Sequence, residues 1–126
     1  MAYRAAVCDD SAADADYVRG IVAHWAEQRG VALECRAFSS AEQFLFCYAE
    51  DKNFDLLLLD VEMPGMNGFE ASKIIKQTFP GLPVIIVTAH LGENVARRCL
   101  ECGIDDYIIQ PVHTKVLYEQ LGKFLD

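Results

Sequence analysis

Polar side chains stand where apolar runs end. Asp9 and Asp10 follow Val7-Cys8, and Asp60 follows Leu56–Leu59. Thr88 follows Val84–Val87, and Gln110 follows Tyr107–Ile109. If the runs are neighbouring strands, three carboxylates meet at one place. At an effective dielectric of ~20, two of them ~4 Å apart repel by roughly 4 kcal/mol before relaxation. Such a cluster persists when a cation neutralises it or its pKa values rise. Oxygen donors without soft Cys or His ligands suit a hard ion such as Mg²⁺, which takes one or two carboxylates, waters and phosphate oxygens. A carboxylate there can act as a nucleophile and form an acyl phosphate, and the Thr88 hydroxyl could donate to a phosphoryl oxygen. The plainer alternative is that acids after strands only cap helices, as Asp10-Ser11 could do for the first long helix. The recurrence at successive run ends favours a shared site.

The elements that would gather these residues are legible as alternation. Tyr3–Cys8, Leu33–Phe38, Leu56–Leu59, Val84–Val87 and Tyr107–Ile109 read as strands. The third and fourth are apolar throughout, as parallel strands covered on both faces are. Helical spacing joins Val18, Ile21, Val22 and Trp25; Ala71, Ile74, Ile75 and Thr78; and Ala96, Cys99, Leu100 and Gly103. Ser40–Gln43 has the form of a capping box before Phe44, Leu45 and Tyr48, and Leu117, Leu121 and Phe124 give the face of a last helix. Gly30, Gly81 and Gly103 follow helical stretches, where a left-handed cap favours glycine. Repeated β-α alternation predicts an open parallel sheet with helices on both faces. Its ligand site should lie beyond the carboxyl ends of the strands, where strand order reverses.

A chain of 126 residues, 52% hydrophobic and 24% charged, is one domain spanning 1–126, with too much apolar content for a disordered tail. Eleven Lys and Arg against nineteen Asp and Glu give a net charge of −8, which argues against non-specific nucleic-acid binding and against docking on an anionic membrane. The longest apolar runs are far short of the ~20 residues of a membrane helix, and Met1-Ala2-Tyr3-Arg4 opens no signal peptide. Five cysteines among apolar neighbours read as buried thiols in a reducing cytoplasm.

With these residues in view, the chain resembles a response-regulator receiver domain of two-component signal transduction, the CheY-like phosphoacceptor module. The likeness runs from Tyr3 to about Leu125. It is carried by Asp9-Asp10, by Leu57–Gly68 (LLLDVEMPGMNG), by Val87-Thr88-Ala89 and by Gly103–Pro111 (GIDDYIIQP). The resemblance implies an α/β, doubly wound five-stranded parallel sheet of order 2-1-3-4-5, flavodoxin-like, with five helices. It implies that Asp60 is the phosphoacceptor and that Asp9, Asp10, Asp60 and the backbone carbonyl of Glu62 hold Mg²⁺. Thr88 would bind the phosphoryl group, and Tyr107 would be the aromatic switch that turns inward. The Pro64-Gly65 turn and Gly68 would give the loop after Asp60 its tight path. A sensor histidine kinase would donate the phosphoryl group. The surface of the fourth helix, fifth strand and fifth helix, with Arg97, Arg98, Tyr107, Lys115 and Tyr118, would meet an output domain, a separate partner or a second copy. Such a domain is a phosphoacceptor rather than an enzyme, though it can assist its own phosphotransfer and dephosphorylation. The chain stops at Asp126, where a receiver's last helix should end, so it is either a free-standing receiver or a fragment of a longer regulator.

One position departs from the family. The residue before the proline after the fifth strand is ordinarily lysine, and here it is Gln110. Glutamine donates hydrogen bonds but carries no charge. The site is thus one charge more negative, which favours Mg²⁺, while coupling of phosphate to the switch is weakened. A second reading follows: a pseudo-receiver acting as a phosphorylation-independent interaction module.

Other features carry less. Cys99-Leu100-Glu101-Cys102 has redox spacing but falls at a helix C-terminus, where the dipole raises thiol pKa values rather than lowering them. Asp105-Asp106 precedes its strand and reads as loop at the opposite edge. His24 reads as helix surface, His90 as a residue at the site rim and His113 as near a helix start. Met63 and Met66 read as packing beside the site loop. A flavodoxin-type electron carrier would need a phosphate-cradling loop where Asp9-Asp10 stands. Dinucleotide binding lacks a G-x-G-x-x-G, and a dehalogenase-type phosphatase expects an aspartate where Glu62 stands.

Overall fold

Leu56–Leu59 and Val84–Val87 are apolar at every position because they form the centre of a sheet covered on both sides. In a computed structural model, which describes residues 2–62, 67–89 and 93–125, the strands are β1 (Ala2–Cys8), β2 (Ala32–Phe38), β3 (Leu56–Asp60), β4 (Val84–Thr88) and β5 (Asp106–Ile109). They alternate with helices α1 (Ala12–Arg29), α2 (Ala41–Glu50), α3 (Gly68–Thr78), α4 (Glu93–Cys102) and α5 (Thr114–Leu125). All pairings are parallel, in the order β2-β1-β3-β4-β5. This is the doubly wound order anticipated from the resemblance. The reversal lies at β1, which Asp9 follows, and β3, which ends in Asp60.

Strand alternation divides the core into two layers. Leu57, Leu59 and Ile86 face one side and pack with Phe44 of α2, Ile75 of α3 and Cys99 of α4. Leu56, Leu58, Ile85 and Val87 face the other and pack with Val18, Val22 and Trp25 of α1 and Leu117 and Leu121 of α5. Each fully buried aliphatic side chain is worth about 1.5–3 kcal/mol relative to exposure, so the two layers clamp the central strands and fix the points where their ends emerge.

Helix starts are set by short polar side chains. Ser11 accepts from the Asp14 N–H, Ser40 from Gln43 and Asn67 from Glu70. The box at α2 closes one residue early, because the Gln43 side chain accepts from the N–H of Ser39 rather than Ser40. Gly30 and Gly103 cap helices with φ of 67° and 74°, whereas Gly81 is not in the left-handed region. Two apolar faces also differ from the periodic reading: Ile74 on α3 and Leu100 on α4 point to solvent, while Phe69, Ala71 and Ile75, and Val95 and Cys99, face the core. Cys8 and Cys99 are buried, but Cys35, Cys47 and Cys102 are only half-buried. No helix among the described residues is long and apolar enough to cross a membrane.

Candidate functional site

The register that builds the sheet also gathers the site. Cys8 pairs with Leu59, so Asp9 and Asp60 leave adjacent strands side by side. Asp60 pairs with Val87, which places Thr88 one step beyond, and Thr88 pairs with Ile109 just before Gln110. Carboxylate oxygens of Asp9, Asp10 and Asp60 all lie within 4.8 Å of one another. Asp9 and Asp60 are buried, as is Thr88, and Asp10 is exposed.

Backbone groups fix these side chains. The N–H of Asp9 donates to the Phe38 carbonyl at 3.0 Å, and its carboxylate accepts from the Ser11 N–H at 2.9 Å. Asp60 accepts from the Glu62 N–H at 3.2 Å. The chain after Asp60 returns so closely that the Gly68 N–H donates to the Val61 carbonyl at 3.0 Å. A Cβ on Gly68 would sit 2.7 Å from the Asp60 carbonyl oxygen and 2.8 Å from the Val61 Cα, so only glycine fits. The Gln110 N–H donates to the Thr88 carbonyl at 2.7 Å, tying the segment after β5 to β4. The Pro64-Gly65 turn, Met63, Met66 and His90 lie outside the described residues.

Burial pushes the Asp60 carboxyl up to about 7, reinforced by the charges of Asp9, Asp10 and Glu62 and opposed by the Glu62 N–H. Burial also raises Asp9, helped by Asp14 and Asp10 and opposed by the Ser11 N–H. Among the described residues, no Lys, Arg or His pairs with any of the three. This is a site that holds excess negative charge and disfavours its own ionisation. The donor set fits Mg²⁺: all three donors are hard oxygens, and ligand oxygens about 3–4.2 Å apart, as in an octahedral shell at ~2.0–2.1 Å, are within reach of a group already gathered inside 4.8 Å.

A buried carboxylate at a topological switch point, beside two further acids and a buried threonine, is the arrangement the resemblance implies. The model of the response regulator receiver domain matches residues 6–122. This chain belongs to the receiver family of two-component signalling. It is 39% identical over 90 residues to the DNA-binding transcriptional regulator NtrC of Proteus hauseri, covering 69% of this chain and 19% of that protein. It is 35% identical over 97 residues to hybrid signal transduction histidine kinase I of Dictyostelium discoideum, covering 68% of this chain and 6% of that protein. A CheY-like receiver domain protein from Methanospirillum hungatei JF-1 superposes with a TM-score of 0.81 at 28% identity, over 100% of this chain and 95% of that one. The receiver thus spans a fifth or less of each of these two curated relatives, 19% and 6% of their lengths.

Several residues of the remaining implied surface sit differently from a plain solvated face. Tyr107 is 38% exposed and Leu100 82%, both outward from the core. Arg98 lies over the Phe69 ring at 4.1 Å, joining α4 to α3. Tyr118 is half-buried towards α1, where its hydroxyl meets His24 Nδ1. The Asp105-Asp106 pair stands at the opposite edge, bound to Lys76 and Lys123. The sequence reading missed Tyr17, whose hydroxyl donates to the Val112 carbonyl at 2.9 Å beside the site; nothing in the spacing of residues 95 apart signals that contact.

Proposed function

We propose that Asp60 accepts a phosphoryl group from the phosphohistidine of a sensor histidine kinase, and that the resulting charge resets the surface of α4, β5 and α5. The observation that carries this is the gathering of Asp9, Asp10 and Asp60 within 4.8 Å around a buried nucleophile. An Asp60 carboxylate oxygen attacks phosphorus, the phosphorus–nitrogen bond breaks, the imidazole nitrogen takes the electron pair, and an acyl phosphate remains on Asp60. Asp9, Asp10, Asp60 and the carbonyl of Glu62 would hold Mg²⁺, which when bound neutralises the carboxylates and the incoming phosphoryl oxygens. Thr88, at the end of β4, and the Gln110 amide, at the end of β5, donate to those oxygens. As Thr88 is drawn towards the phosphoryl group, Tyr107 on the neighbouring strand turns from its outward position. Leu100, Tyr107 and Val116, all more than a third exposed, give the partner surface an apolar centre. The chain on this reading is a phosphoacceptor and not an enzyme with a separate substrate, although the same groups assist transfer and hydrolysis. Its kinase, and an output domain, a separate partner or a second copy, complete the pathway.

Incubation with acetyl phosphate and Mg²⁺, followed by intact mass, tests the reading. One phosphoryl adduct is expected, lost in Asp60→Asn. Absence of an adduct in the unaltered chain, with kinase as well as acetyl phosphate, would favour the pseudo-receiver reading, which the uncharged Gln110 supports.

A further inference from the structure

Gln110 lies on the short segment between β5 and α5, and hydrogen bonds tie that segment on two sides. The Gln110 N–H donates to the Thr88 carbonyl at 2.7 Å, and the Val112 carbonyl accepts from the Tyr17 hydroxyl at 2.9 Å. Pro111 between them has no N–H to donate. Towards α1 the segment borders a cavity of about 400 Å³, lined by Tyr17, Gln110, Pro111, Val112 and Asp60 among others. A void offers no packing partner, so the hydroxyl spans the gap where side-chain packing does not. Tyr17 is itself 55% exposed, and its ring belongs to neither core layer. What this side chain contributes is the contact rather than burial. The same helix begins at Ser11, whose N–H holds the Asp9 carboxylate at 2.9 Å. Through Ser11 and Tyr17, α1 therefore grips both the acidic cluster and the segment that carries Gln110. The identity of residue 110 makes that grip matter. A lysine charge acts over several ångströms from a flexible stem, but a neutral amide acts only at about 3 Å with a nearly straight N–H···O. A shift of about 1 Å in the backbone leaves a charge effective and breaks an amide hydrogen bond.

We propose that Tyr17 is a positioning residue of the phosphoryl site: by holding the Val112 carbonyl, its hydroxyl fixes the segment after β5 and with it the reach of the Gln110 amide to phosphoryl oxygens on Asp60. The inference rests on the reading of Asp60 as phosphoacceptor. It adds to that reading a residue on α1 that touches neither the metal nor the phosphoryl group and acts only through Gln110.

The test is titration of the full chain with beryllium fluoride, a phosphoryl mimic, at saturating Mg²⁺, followed by the Thr88 amide resonance. Tyr17→Phe should bind beryllium fluoride about fivefold more weakly, the loss of one neutral hydrogen bond. Its affinity for Mg²⁺ alone should match that of the unaltered chain, because the carboxylates and the Glu62 carbonyl hold the ion. Amide hydrogen exchange at Gln110 and Val112 should quicken while exchange at Leu58 in the sheet does not. In a Gln110→Ala background the substitution at Tyr17 should cost nothing further, and in a Gln110→Lys background its effect should shrink, since a charge tolerates the displacement. Tyr17→Met, apolar and without the hydroxyl, carries the same expectations if Tyr17→Phe does not fold. Beryllium fluoride binding unchanged in the folded variants, a loss of equal size in the Gln110→Ala background, or a parallel loss of Mg²⁺ affinity would each overturn the proposal while leaving the reading of Asp60 intact. Failure of the unaltered chain to bind beryllium fluoride or to form a phosphoryl adduct would overturn both.

Discussion

At the edge where the strands begin, Asp105 meets Lys76 at 2.7 Å, Asp106 meets Lys123 at 3.0 Å, and Asp51 meets Arg4 at 2.7 Å. At the edge where they end, Asp9, Asp10 and Asp60 crowd within 4.8 Å, and no basic side chain among the described residues pairs with them. The residue type is the same and the sheet is the same. The consequence differs: the hydrogen bond from Arg4 holds the half-buried Asp51 carboxyl below its usual range, while burial beside other acids lifts Asp60 to about 7. One edge spends its aspartates on stability. The other keeps a charge imbalance that only a cation or a proton relieves, which is the condition of a site that waits for a ligand.

The same chemical change should therefore have opposite signs at the two edges. Asp60→Asn, in metal-free buffer at pH 8, should stabilise the fold. The gap between an ordinary 3.8 and about 7 corresponds to at most ~4 kcal/mol, and with water reaching part of the carboxylate about 2 kcal/mol is expected. The pH dependence follows. Between pH 4 and 7 the folded chain keeps a proton that the unfolded chain has released, so stability falls as pH rises through this window. Urea unfolding at pH 5 and pH 8 should show the decline in the unaltered chain and a weaker one in Asp60→Asn. A flat profile in both would mean that Asp60 is not held in excess negative charge.

Mg²⁺ at a hundred times its dissociation constant should restore about 2.7 kcal/mol at pH 8, because it binds the folded cluster and not the dispersed acids of the unfolded chain. The effect should weaken at pH 4, where the Asp60 carboxyl is protonated. Isothermal titration with EDTA-treated protein, alongside melting curves, measures both. Equal stabilisation of a variant lacking Asp9 and Asp10 would place the ion elsewhere.

At the opposite edge, Lys76→Met should destabilise by about 1–3 kcal/mol. The Lys76 side chain is 15% exposed and donates to the Leu82 carbonyl at 2.9 Å as well as to Asp105. Its removal leaves a partly buried carboxylate that, among the described residues, keeps the Val84 N–H at 2.8 Å. Phosphoryl acceptance at Asp60 should be unchanged, which separates the roles of the two edges in one variant.

The functional edge was legible in the sequence for a physical reason. A strand covered on both faces must be apolar throughout, so its end is marked by the first acid, and parallel pairing then brings successive ends together. Asp60 and Thr88 were placed by the wholly apolar strands β3 and β4, whereas Asp9-Asp10 and Gln110 follow partly exposed strands and were placed by the β-α alternation. Helical faces were less legible. Ile74 and Leu100 share an apolar period with true core positions, and only the packing of α3 and α4 shows which side of each helix is covered. The Tyr17–Val112 contact beside the site was not legible at all, because the two residues meet across a segment pairing that no local pattern encodes. Gly81 followed the chemistry of a cap without adopting its geometry.

The smallest expected effect lies at Lys123. Its side chain is 59% exposed, and its contact with Asp106 is open to solvent and salt. Lys123→Ala should cost less than ~1 kcal/mol, and that little should vanish in molar salt. The comparison with Lys76→Met then isolates burial as the variable, since both lysines pair with neighbouring aspartates at the start of one strand. If chemical denaturation gave the two variants equal losses, the pairing at this edge would be a matter of charge alone. The contrast with the uncompensated edge would then rest on charge count rather than on how deeply each carboxylate is buried.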